Sequence, residues 1–123
     1  MKKVLVAEDD KFLANAYRIK LAKAGFEIKL ATDGQEVIEA LKTYTPDIML
    51  LDLVMPIRDG FSALEEIKAN EQWKHIPVIV ASNLGQKEDT ERAQKLGAAD
   101  VVVKSDLSLD ELVEKVNKLL GSS

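Results

Sequence analysis

The sequence predicts an α/β fold: a doubly wound, five-stranded parallel sheet with helices on both faces. Three observations predict it. Five short apolar runs alternate with five longer segments whose apolar residues recur every three or four positions. Four of those runs are continuously apolar, the pattern of strands covered on both faces. The 123 residues, 46% of them hydrophobic, suit one domain with a sizeable core.

The first run, Val4 to Ala7, is followed by an amphipathic segment from Lys11 to Ala24, with Asp10 placed to cap it and Gly25 to close it. The second run, Glu27 to Ala31, alternates polar and apolar residues, which suits a sheet edge, and leads into a helical segment from Gln35 to Thr43. Pro46 stands ahead of the third run, Ile48 to Leu51, where a missing amide donor is tolerated. The next helical segment spans Ser62 to Asn70, and Ser62 with Glu65 has capping-box spacing. Pro77 introduces the fourth run, Val78 to Ala81, followed by a helix from Lys87 to Leu96 that Gly97 closes. The fifth run, Val101 to Val103, precedes the clearest helix, Leu109 to Leu120. There Leu109, Leu112, Val113, Val116, Leu119 and Leu120 form one stripe, and Ser108 with Glu111 has capping-box spacing.

Composition excludes several classes. The 17 Lys and Arg against 21 Asp and Glu leave a net charge of −4 with the signs interspersed, so no basic stripe offers itself to nucleic acid. With no cysteine, disulfides, thiolate metal sites and a cysteine nucleophile are all absent. No apolar run approaches the ~20 residues that span a bilayer, and Val4 to Ala7 is too short for a signal-peptide core. A cytoplasmic protein without nucleic-acid or membrane partners is the expectation.

In a doubly wound sheet, ligands bind outside the carboxyl ends of the strands, so the residues ending each strand are informative. They are Glu8, Asp9 and Asp10 after the first run, Asp52 after the third, Ser82 after the fourth and Lys104 after the fifth. Neighbouring strands lie ~4.8 Å apart. Two carboxylates at ~5 Å would repel by about 3 kcal/mol at an effective dielectric of about 20. A cation is needed, and Mg²⁺ suits one or two carboxylates with phosphate oxygens completing its shell. Lys104, directly after three valines, meets an anion or solvent at the same rim. His75 reads as a loop residue, Trp73 as partial cover for the third helix, and Met49 and Met55 as fillers of core or loop.

Taken together, Val4-Leu5-Val6-Ala7-Glu8-Asp9-Asp10, Pro46-Asp47-Ile48-Met49-Leu50-Leu51-Asp52, Met55-Pro56 with Asp59-Gly60, Ile76-Pro77-Val78-Ile79-Val80-Ala81-Ser82, and Gly97-Ala98-Ala99-Asp100 through Lys104 resemble the receiver domain of bacterial two-component response regulators, in its single-domain, chemotaxis-regulator form. The resemblance covers essentially the whole chain. It implies a flavodoxin-like strand order 2-1-3-4-5, a receiver domain over residues 1–120 and a flexible tail at 121–123. It implies that Asp52 accepts a phosphoryl group from a sensor histidine kinase, a phosphotransfer protein or a small phosphodonor, and that the domain is a switch rather than an enzyme acting on other molecules. Asp9, Asp52 and the Val54 carbonyl would hold Mg²⁺, with Glu8 contributing through water. Lys104 and Ser82 would bind the phosphoryl oxygens. Phosphorylation would alter the face formed by the fourth helix, fifth strand and fifth helix, where a downstream protein docks, in a monomer or weak dimer.

Four positions depart from the family pattern. Val101 replaces the usual switch aromatic, Ser105 the usual proline after the lysine, Glu8 the commoner aspartate, and Asn83 a small residue beside the switch hydroxyl, where it narrows access to Asp52. Val54 and Leu84, two beyond Asp52 and Ser82, are apolar and are expected to shield an acyl phosphate from water. Rival readings are a phosphorylation-independent adaptor of the same fold, and an aspartyl-phosphate phosphohydrolase. The second fits less well, because it wants an aspartate where Val54 stands. Nucleotide-binding glycine motifs are absent.

Overall fold

The structure, a computed structural model, describes residues 1–83 and 86–121. Five strands and five helices alternate: β1 (Lys3–Ala7), α1 (Lys11–Lys23), β2 (Glu27–Ala31), α2 (Gly34–Leu41), β3 (Ile48–Asp52), α3 (Gly60–Ala69), β4 (Val78–Ser82), α4 (Lys87–Lys95), β5 (Asp100–Val103) and α5 (Leu109–Leu119), with a 3₁₀ turn at Lys104–Asp106. All pairings are parallel, in the order β2-β1-β3-β4-β5. The alternating run Glu27–Ala31 is an edge, as its pattern predicts, and the continuous runs β1, β3 and β4 are interior. No described helix is long and apolar enough to cross a membrane.

Because side chains alternate across a strand, each apolar run feeds two cores. Leu5, Met49, Leu51, Val78 and Val80 pack with α2, α3 and Ala93 of α4 on one face. Val4, Val6, Ile48, Leu50, Ile79 and Val102 pack with Tyr17 and Leu21 of α1 and Leu112 and Val116 of α5 on the other. Trp73 covers the first core in part, and Met49 and Met55 are buried in it. His75 is exposed. Ala93 is the one buried residue of α4, so that helix rests on the sheet by a narrow contact.

Helix ends follow the expected chemistry with one correction. The Asp10 carboxylate accepts from the amides of Phe12 and Leu13, and Ser108 with Glu111 forms a reciprocal capping box. Gly25 and Gly97 take positive φ, 99° and 102°, just past α1 and α4. The Ser62–Glu65 capping box does not form. The α3 helix begins earlier, at Gly60, and the Asp59 carboxylate caps it by accepting from the Ser62 amide. Ser62 therefore lies inside the first turn, where its hydroxyl turns to Arg58 instead.

Candidate functional site

Strand order reverses between β1 and β3, and both end at the same rim. Ala7 pairs with Leu51, which sets Glu8 level with Asp52, and Asp52 pairs with Ala81 of β4. Glu8, Asp52 and Lys104 continue the alternate positions that carry Val6, Leu50 and Val102 into the α1/α5 core, so all three project to one side of the rim. They line a cleft of about 480 Å³ with Asp9, Asp10, Leu13, Val54, Asn83 and Ser105.

Within it, Lys104 Nζ lies 2.6 Å from Glu8 Oε1 and 3.2 Å from Asp52 Oδ2. The Asp10 amide donates to Glu8 Oε2 at 3.1 Å, and the Val54 amide to Asp52 Oδ1 at 3.3 Å. Glu8 and Asp52 are each 2% exposed, while Asp9 faces solvent. Burial pushes both buried carboxyls above their ordinary values, against the Lys104 ammonium and backbone amides that favour their charged forms. For Lys104 burial acts downward, but the summed pull of Glu8 and Asp52 outweighs it and the ammonium ends above the usual lysine value.

Carboxylate oxygens of Glu8, Asp9 and Asp52 approach within 4.8 Å of one another. An all-oxygen donor set that is partly solvent-facing fits a hard divalent cation such as Mg²⁺, which keeps several waters. Near-tetrahedral sites with nitrogen or sulfur ligands need donors this cluster lacks.

Ser82 ends β4, is 5% exposed and pairs in register with Val103, next to Lys104. It belongs to the alternate set of Val78 and Val80, facing the opposite core, and is not among the cleft's lining residues. Asn83 is exposed and does line the cleft. Val54, 65% exposed, forms part of its rim. Val101 packs in part against the α2/α3/α4 core, away from the cleft. Leu84 lies outside the described residues. Ser105 follows Lys104 through a trans peptide into the 3₁₀ turn.

Two residues between β3 and the first turn of α3 were not singled out by the sequence. A Cβ on Gly60 would enter the van der Waals shell of the Asp52 carbonyl, and the Gly60 amide donates to Leu53 O at 2.9 Å, so the start of α3 sits against the end of β3. Gly60 could have been weighed as more than part of a motif, since the helix start follows β3 so closely. Arg58, in the same loop, binds α3 through its guanidinium, and nothing in its local sequence signals that.

A doubly wound parallel sheet in the order 2-1-3-4-5, with three clustered carboxylates and a lysine at its carboxyl rim, is of the flavodoxin-like class and carries an acidic cluster that could hold a metal ion. The family model for the response regulator receiver domain matches residues 4–117, and the chain belongs to that family. It is 39% identical over 104 residues to the chemotaxis protein CheY of Halobacterium salinarum, covering 84% of each chain. Its fold superposes on the Francisella response regulator 1452 receiver domain with a TM-score of 0.90, at 35% identity and 98% coverage of both chains. It is similar also to the receiver domain of a sensor histidine kinase from Pseudomonas aeruginosa (TM-score 0.89, 26% identity, 98% of each chain), whose crystal structure holds a magnesium ion in the active site cleft. The chain spans about half the length of some curated relatives it matches and nearly all of others. Receiver domains are signalling modules of two-component systems, and this chain is one of them.

Proposed function

We propose that the chain is a phosphorylation-dependent switch in which Asp52 accepts a phosphoryl group from the phosphohistidine of a histidine kinase or phosphotransfer protein. The observation that carries this reading is the convergence of the Glu8, Asp9 and Asp52 carboxylates beside Lys104 in one open cleft. An Asp52 carboxylate oxygen attacks phosphorus as the P–N bond to the donor imidazole breaks, with the electron pair leaving on nitrogen. An ionised carboxylate needs no base, so positioning and charge neutralisation are what the site must supply.

Asp9, Asp52 and the Val54 carbonyl are the residues to hold Mg²⁺, with Glu8 acting through water. Held by these residues, Mg²⁺ would supply neutralisation of charge on the transferring phosphoryl group. Lys104 moves from its carboxylate partners to a phosphoryl oxygen, and the Ser82 hydroxyl turns in to a second. The output is a shift in the α4-β5-α5 face that a downstream protein reads in the cytoplasm.

The test is intact mass after incubation with acetyl phosphate and Mg²⁺, with Asp52→Asn and a chelator as controls. A gain of one phosphoryl mass, lost in both controls, is expected. No gain on folded protein would overturn the reading and favour an adaptor that works without phosphorylation.

A further inference from the structure

We propose that Arg58 is a positioning residue for the cleft: it clamps a strained turn in the β3–α3 loop and so keeps Val54, on the same loop, at the cleft's rim. The Arg58 amide donates to Pro56 O at 2.6 Å and closes a three-residue turn around Ile57. Ile57 has φ 67°, the one positive φ among described residues other than glycine. That hand of γ-turn is rare, and a β-branched residue is poorly suited to it. The Ile57 side chain is 86% exposed, so its own packing does not hold the turn.

Arg58 does. Its Nε donates to Ser62 Oγ at 2.8 Å, and its Nη2 donates to Ser62 O at 3.1 Å and meets Glu66 Oε1 at 2.8 Å. The planar guanidinium presents Nε and Nη2 in one rigid fork to three acceptors on α3, a preorganised arrangement that an ammonium on a flexible stem lacks. On the other side the Arg58 carbonyl accepts from the Gly34 amide at 2.9 Å. A Cβ at Gly34 would collide with that carbonyl, so the start of α2 is shaped to receive it. The loop is thus tied to α3 and α2 at its turn, and by Gly60 to Leu53 at its base. Between those ties lies Val54, whose amide also orients Asp52 Oδ1. Strain held by surrounding contacts beside a functional site is a form of preorganisation.

The inference rests on the reading above that the Val54 carbonyl faces the cation. Mg²⁺ affinity by titration calorimetry and hydrogen exchange at the Gly34 and Gly60 amides test it, in the full chain, on Arg58→Ala, Arg58→Lys and Arg58→Ala combined with Ile57→Gly. Arg58→Ala should weaken Mg²⁺ binding at least threefold and speed Gly34 exchange about tenfold, with α5 amides unchanged. Arg58→Lys should recover only part of the affinity. Ile57→Gly in the Arg58→Ala background should return Mg²⁺ affinity towards wild type, because a turn without strain needs no clamp; a merely structural arginine would show no such rescue. If Arg58→Ala does not fold, Glu66→Ala removes one clamp contact and should shift the same quantities less. Mg²⁺ affinity within twofold of wild type in a folded Arg58→Ala variant overturns this proposal alone. Wild-type protein that binds no Mg²⁺ overturns the reading of the site and this proposal with it.

Discussion

Lys104 stands closer to Glu8 than to Asp52, 2.6 Å against 3.2 Å, although Asp52 is the residue we propose as the phosphoryl acceptor. The ammonium is shared, and both carboxylates depend on it. Lys104→Met should therefore cost about 3 kcal/mol, since two buried charges lose their partner. Urea unfolding at neutral pH reads this, and millimolar Mg²⁺ should restore part of the loss in the variant. A midpoint unchanged from wild type would mean that the pair contributes nothing to the fold.

The raised pKa of Asp52, caused first by burial, has a definite sign. A carboxyl held above its unfolded value contributes stability below that ordinary value, near 3.8, and loses it as pH rises through the folded value. Asp52→Asn removes the ionisation. The variant should be the more stable at pH 7, because burial there penalises the charged form that asparagine never takes. The gap should close as pH falls towards 4. Denaturant midpoints across that range decide it, and a gap that widens in acid would reverse the assignment.

Gly60 tolerates no side chain where α3 meets the Asp52 carbonyl. Gly60→Ala should destabilise by about 2 kcal/mol or more, as overpacking of a close backbone approach does. It should also slow phosphoryl uptake from acetyl phosphate, because the end of β3 must shift. Calorimetric melting and intact-mass time courses on one preparation separate the two effects.

Asp59, and not Ser62, caps α3. Asp59→Ala should cost about 1 kcal/mol, whereas Glu65→Ala, on an exposed residue outside any capping box, should stay within about 0.5 kcal/mol. Equal losses at both positions would restore the capping-box reading.

Val54 lies on the cleft rim, 65% exposed. Replacing Val54 and Leu84 together by asparagine should shorten the life of the phosphorylated state several-fold by admitting water. Timing phosphate release measures this, and an unchanged decay would remove the shielding role.

Much of this architecture is legible along the chain. The continuous apolar runs of β1, β3 and β4 announce strands covered on both faces, and alternation in Glu27–Ala31 announces an edge. Charged and hydroxyl residues ending four of the strands then fall on one rim, because parallel connections return every strand in the same direction. Helix starts were less legible. Two capping patterns compete before α3, and the choice of Asp59 follows from Gly60 fitting against Asp52, a contact between segments that local spacing does not encode.

The sequence by itself determined the order of elements, the two-sided core and the gathering of Glu8, Asp9, Asp52 and Lys104 at one edge, since those depend on periodicity and chain direction alone. Tertiary structure decided the rest. It placed Lys104 nearer Glu8 than Asp52, and set the Arg58 guanidinium against Ser62 and Glu66 beside the turn at Ile57. Each of these turns on distances between side chains carried by different segments, and such distances are fixed only when the packed helices and sheet settle against one another.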